Sequence, residues 1–108
     1  MISRTWHGMV PKEHADGFEG YLQRTGIKEA KEIAGNLGAY CIKIDQDDYA
    51  HFFLCTVWSS WADILRYAGN NPGIAIAYPE DKQYGLISDP IVIHQEVSSS
   101  DNPFRAYA

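Results

Sequence analysis

The residues in this chain best suited to chemistry on a small molecule are histidines and tyrosines. His94 lies between Ile93 and Gln95, on the face opposite Ile91 and Ile93. An imidazole titrates near neutrality and makes a natural general base. If the aliphatic face packs on helices, His94 points into an enclosed pocket. The plainer reading is an imidazole hydrogen-bonded across a subunit interface. Tyr78 follows the turn cluster Asn70-Asn71-Pro72-Gly73 and precedes Pro79. Its phenol suits a substrate carbonyl or phenolate, and equally suits the edge of a core with its hydroxyl in water. Tyr67 lies six residues after Trp61, well rotated from it on a helix. That makes Tyr67 the pocket candidate of the two and Trp61 a core residue.

Other constellations are weaker. His7, His51 and His94 fall on three strands that would be neighbours, so a three-histidine metal site is conceivable, but the spacing is not diagnostic and no metal is assigned. Cys41 and Cys55 flank the polar turn Asp45-Gln46-Asp47-Asp48 almost symmetrically. They are expected to face each other across a hairpin as packed, free thiols. No serine elbow, phosphate loop or Cys-x-x-Cys pair is present.

These residues need a scaffold. The 108 residues suit one domain, expected over 1–97, with 98–108 as a C-terminal tail that Phe104 and Tyr107 could tether. Apolar residues at 45% and charged residues at 21% match a globular protein that needs no disulfide or structural metal. The net charge of −5, without any Lys/Arg run, argues against nucleic acid and anionic membranes as partners. No stretch reads as a signal peptide or a membrane span, so a cytoplasmic location is the expectation.

Ile2 to Val10 reads as a strand closed by Pro11. Lys12 to Thr25 reads as a helix, with Ala15, Phe18 and Leu22 on one stripe and Gly26 as its stop. Ile27 to Ala34 adds a further turn or two, and Gly35-Asn36-Leu37-Gly38 reads as a loop. Ala39 to Ile44 alternates, with Tyr40, Ile42 and Ile44 on one face. Tyr49 to Trp58 is rich in aromatic and β-branched residues and pairs with it as a hairpin. Ser60 caps a second helix three residues before Asp63; Trp61, Ile64, Leu65 and Ala68 form its buried stripe, and Gly69 ends it. Ile74 to Tyr78 is short and apolar, Pro79 to Tyr84 polar and helical. Ile91 to Val97 is the last strand, behind Asp89-Pro90. The order β-α-β-β-α-β specifies an α+β ferredoxin-like plait, with helices on one face of an antiparallel sheet and an apolar face left to cover.

Several segments also resemble the antibiotic biosynthesis monooxygenase group of the dimeric α/β-barrel superfamily. They are Arg4-Thr5-Trp6-His7-Gly8 leading to Val10-Pro11, Gly35-Asn36-Leu37-Gly38-Ala39-Tyr40, Thr56-Val57-Trp58-Ser59-Ser60, Tyr78-Pro79-Glu80-Asp81 and Val92-Ile93-His94. The resemblance covers about residues 2 to 97. It implies a homodimer whose two sheets close a barrel, with pockets between sheet and helices. It also implies an activity: quinone-forming oxygenases that need no metal or flavin, or haem degradation. The haem-degrading pattern has an Asn on the first strand, a Trp on the second helix and a His beyond it. Trp6, Tyr67 and Ala77 stand at those places, which argues against haem. Trp6 is accordingly expected to form a pocket wall, although a large aromatic also suits the core. The resulting expectation is a cofactor-free monooxygenase acting on a small aromatic or hydrophobic compound. Tyr78 and His94 would be catalytic, and Trp6 and Tyr67 would bind substrate. The alternative is a non-catalytic dimeric binding or stress module.

Overall fold

A computed structural model describes residues 1–97; the proposed tail and its tethers Phe104 and Tyr107 lie outside the described residues. Strand β1 spans Ile2–Pro11 and strictly alternates between buried and half-buried positions. Its inner face carries Ile2, Arg4, Trp6, Gly8 and Val10. Period-two alternation of this kind marks a strand covered on one side. The sheet is antiparallel, in the order β2 (Asn36–Gln46), β3 (Tyr49–Trp58), β1, with the short strands β4 (Ile87–Ser88) and β5 (Ile93–Glu96) both pairing with β1. This is the expected plait.

The last strand differs from expectation. It is broken in two, because Pro90 has no N–H to give to a ladder. β4 pairs with Gly8 and Met9, and β5 with Ile2 to Thr5. Between them the chain bulges away and is held by Val92 N–H donating to Gly73 O (2.8 Å) and Ala75 N–H to Pro90 O (2.9 Å).

The first helical region continues through the further turns expected after Gly26, without a break there. After a 3-10 turn at Lys12–His14, α1 (Ala15–Leu22) passes through a π turn at Gln23–Ile27 into α2 (Lys28–Glu32). Gly26 is therefore not a stop. It is buried where the helix lies closest to the sheet, and a Cβ there would stand 2.9 Å from Leu54 Cδ2. Gly35 does make the turn, at φ +94°, and β2 starts at Asn36 with an irregular register between Asn36 and Gly38, so the expected loop is largely strand.

Helix α3 (Trp61–Ala68) begins at Ser60, whose hydroxyl accepts from Asp63 N–H, and ends at Gly69, φ +83°. Its stripe is narrower than expected. Ile64 is buried, but Trp61 and Leu65 are each 42% exposed, so Trp61 is not a core residue. The core has two parts on the helical side of the sheet. One gathers Trp6, Val10, Phe18, Phe52 and Leu54; the other gathers Ile2, Ala30, Trp58 and Ile64.

The opposite face is not covered by any helix among the described residues. Tyr40, Ile42, Ile44, Ile87 and Ile93 stand there 43–63% exposed. The cysteines do not face each other: Cys41 is opposite Leu54, and Cys55 is opposite Tyr40. They are one register step apart and so lie on different faces, both free. Among the described residues, no helix is long and apolar enough to cross a membrane.

Candidate functional site

A pocket lies between the sheet and the helices. β1 contributes Arg4 and Trp6, β3 Leu54, α1 Phe18 and Tyr21, the π turn Gly26, and α3 Tyr67; the segment after α3 closes it with Ile76, Tyr78, Asp81 and Leu86. Three of the four residues expected at a site, Trp6, Tyr67 and Tyr78, thus share one pocket.

Each is held by its own contacts. Trp6 lies along β1 over Gly8, where any Cβ would collide with the indole. Its Nε1–H donates to Ser88 Oγ at 2.8 Å, so the indole meets its polar need outside the pocket and offers its face inward. Tyr67 stacks on Trp58 with centroids 5.2 Å apart, and its hydroxyl donates to Gly26 O at 3.2 Å. That carbonyl belongs to the π turn, which gives the irregularity a role at the site. Tyr78 donates to Glu29 Oε2 at 2.6 Å, and its own N–H donates to Asp81 Oδ2 at 2.9 Å.

Burial raises the pKa of both phenols. Tyr78 goes far above the ordinary value, with Tyr67 and Glu29 adding to the rise. Tyr67 is raised less, because the charge of Arg4 opposes burial. Both therefore stay protonated at neutral pH and serve as hydrogen-bond donors. Asp81 is also raised by burial, against the effect of its bond from the Tyr78 amide.

His94 is placed elsewhere. It pairs with Arg4 across the β1–β5 ladder and so shares the helical face, while Ile91 and Ile93, 65% and 63% exposed, are turned away from the helices. The expected packing of the aliphatic face was the reverse. His94 meets Trp61, with centroids 5.0 Å apart, and does not line the pocket. Its Nε2 is buried and has no hydrogen-bond partner among the described residues. Burial, and then the charge of Arg4, lower its pKa, so the ring is neutral at neutral pH.

The three histidines do not gather. His7 Nε2 and His51 Nδ1 are 2.9 Å apart on the open face, where His7 Nδ1 also meets Asp89 Oδ2 at 2.8 Å. His94 is on the other side of the sheet, and no group of metal-holding side chains forms among the described residues. Cys41 has its thiol pKa pushed up to about 11, mainly by burial, so it is no nucleophile near neutral pH.

Arg4 is the site residue that the residue types alone did not suggest. It is 3% exposed, and its guanidinium lies 5.5 Å from the Tyr67 ring centroid. Its signal was legible: a strand alternating Ile2, Arg4, Trp6, Gly8, Val10 puts the arginine in the buried phase.

No family model matches the chain, and no curated protein does. Solved structures do. A protein from Deinococcus radiodurans, provisionally assigned as an antibiotic biosynthesis monooxygenase, superimposes with a TM-score of 0.63 at 16% identity, over 92% of this chain and 94% of that one. The fold is that of the antibiotic biosynthesis monooxygenase group. MhuD, as a variant with two manganese protoporphyrin IX molecules bound per active site, matches at 0.59 and 16% identity, over 90% of this chain and 94% of that one. Rv0793 from Mycobacterium tuberculosis matches at 0.52 and 12%, over 92% and 97%. At these identities the likeness is one of fold.

The porphyrin of MhuD does not fit the residues here. No imidazole lines the helix-side pocket, and its three phenols, Tyr21, Tyr67 and Tyr78, are all held protonated, which makes them poor iron ligands. The pocket's free volume is about 30 Å³, far below that of a macrocycle.

Proposed function

We propose that the chain is a small oxygenase acting, without metal or flavin, on an oxidisable aromatic ring held in the helix-side pocket. The observation that carries this reading is the convergence of Trp6, Tyr67 and Tyr78 from three separate parts of the chain on one apolar pocket. Trp6 and Tyr67 are walls for the ring. Tyr78, a protonated phenol, turns its single O–H from Glu29 to a substrate oxygen, which stabilises negative charge as it develops there. His94, neutral and with a free Nε2, stands outside the pocket lining beside Arg4, so it takes the proton that leaves the substrate through an intervening water.

For an anthrone-type substrate the balance is simple. The ring carbanion passes its electrons to O2, one oxygen atom enters as a carbonyl, and the other leaves as water. The substrate is the reductant. The pocket's free volume is about 30 Å³, so its lining must give way for a ring to enter; the segment from Gly69 to Leu86, with one 3-10 turn at Asp81–Tyr84 and an isolated bridge between Ile74 and Ile91, is the least regular part of the wall.

Oxygen uptake with anthrone and quinol substrates tests the reading. Tyr78→Phe is expected to lower kcat about 100- to 1,000-fold, the loss of one donor at a developing charge. His94→Ala is expected to lower it comparably; unchanged turnover there would remove His94 from the mechanism.

The small free volume and the absence of an imidazole from the lining favour a second reading, a non-catalytic binding module. A ligand retained through purification, with no oxygen consumption over the substrate panel, supports it. Either reading takes the protein as a homodimer that covers the apolar face of its sheet. Either also suits the cytoplasm, where two free thiols stay reduced.

A further inference from the structure

Arg4 is an electrostatic anomaly. A buried cation is strongly unfavourable unless it is paired and hydrogen-bonded. Among the described residues its hydrogen bonding consists of one long contact, NH2 to Pro72 O at 3.4 Å, and its buried Nε has no partner. No carboxylate forms an ion pair with it: the acid in the pocket lining, Asp81, is turned to the Tyr78 amide, and Glu29 accepts from the Tyr78 hydroxyl. The Tyr67 ring at 5.5 Å gives only a cation–π contact. Next to Arg4 across the ladder, His94 Nε2 is the other buried polar atom without a partner. Two unsatisfied nitrogens thus stand on adjacent strands, that of Arg4 in the lining of an otherwise largely aromatic and aliphatic cleft and that of His94 just outside it.

A purely structural arginine would have its fork satisfied by carbonyls or a carboxylate. What this one lacks is an anion. We propose that Arg4 selects ligands in which an apolar ring carries an ionised oxygen. That oxygen pairs with the guanidinium while the ring lies against Trp6 and Leu54. The planar fork suits a carboxylate or a phenolate, and a charge-assisted bond made in a cleft closed to water is strong. The overall charge of −5 offers no general attraction to anions, so the selectivity is local to Arg4. This inference rests on the helix-side pocket being the binding site, but on no reaction taking place there.

The test is a titration of the purified protein with benzoate, 4-nitrophenolate and the neutral benzyl alcohol, by calorimetry and by the shift in Tm that binding produces. In the wild type, one or both anions are expected to bind at least about tenfold more tightly than benzyl alcohol, the size of one charge-assisted hydrogen bond. Which anion wins separates a carboxylate from a phenolate. Arg4→Met keeps the length of the stem and removes the charge. It is expected to abolish the preference, to leave benzyl alcohol unchanged, and to melt above the wild type without ligand. Should that variant not fold, Arg4→Lys, which keeps the charge and loses the fork, is expected to reduce the preference without erasing it. Equal affinity of the wild type for acid and alcohol, no binding of any probe, or an anion preference that survives in Arg4→Met overturns the proposal. None of these readouts needs oxygen, so a failed oxygenase assay leaves the inference standing, and turnover of a neutral ring leaves the function standing without it.

Discussion

Two residues show how finely the site is set. Gly8 is a glycine because Trp6 lies over it, with Leu86 Cδ1 at 3.0 Å from where a Cβ would stand. Gly8→Ala is expected to push the indole out of the pocket wall and to cost about 1–3 kcal/mol, as overpacking does; chemical denaturation reads the stability, and tryptophan fluorescence the displaced ring. His94 gives a pH signature. Its folded pKa is lowered, first by burial and then by Arg4. The unfolded chain therefore takes up this proton more readily than the folded one. The stability from a neutral His94 is complete above the ordinary imidazole value of 6.5 and is lost as pH falls from there towards the folded pKa. Urea melts at pH 8 and pH 5 should show this loss, and His94→Gln should reduce it. An identical pH dependence in the variant would show that His94 titrates normally.

At the scale of elements, the entry to α3 and the turn before β2 form one unit. Asp63, 7% exposed, accepts from the hydroxyls of Ser59 and Ser60 and forms an ion pair with Arg66. The two serine hydroxyls, more than Arg66, hold its carboxyl below the usual value. Arg66 also donates to Ala34 O at 3.0 Å, and Ser59 N–H to Gly35 O at 2.9 Å. The helix cap thereby fastens the tight turn. Gly35 has a left-handed φ, and a Cβ there would run into the Asp63 carboxyl. Gly35→Ala is expected to cost roughly 2–4 kcal/mol, from the backbone and the collision together, whereas Ser60→Ala should cost about 1 kcal/mol, the usual loss of a cap. Thermal melts of the two variants should keep that order. The capping serine and the glycine-rich turn were both readable in the chain, since each depends on local chemistry. The π turn was not: Gly26 resembles a helix stop until Leu54 is seen packed against it.

At the scale of the molecule, the open face of the sheet is the dominant feature. Tyr40, Ile42 and Ile44 on β2 continue through Phe53 and His7 to Ile93 on β5. An apolar face of this extent suggests an interface rather than a wetted surface. In the homodimer proposed above, Ile42→Lys and Ile93→Glu, at positions 46% and 63% exposed in the single chain, should separate the subunits with little change in secondary structure. Light scattering coupled to gel filtration reads the mass directly. A wild-type protein of monomer mass would leave the open face to some other partner.

The sequence by itself determined the order of the elements, the hairpin, the second helix and its caps, and the alternation of β1. Each of these depends on neighbours within a few residues and on period-two or helical patterning. Trp6 was singled out by the family resemblance, Tyr67 by its rotation away from Trp61 on the helix and Tyr78 by the turn cluster before it, although a large aromatic suits a core as well. Only the tertiary structure decided which face of β5 is inside. Alternation sorts residues into two sets but does not say which set meets the helices, and the break at Pro90 turned Ile91 and Ile93 outward and His94 in. The same limit applied to Arg4. Its buried phase was visible, but its lack of a carboxylate partner is a property of every strand and helix packed around it, and no local pattern carries that.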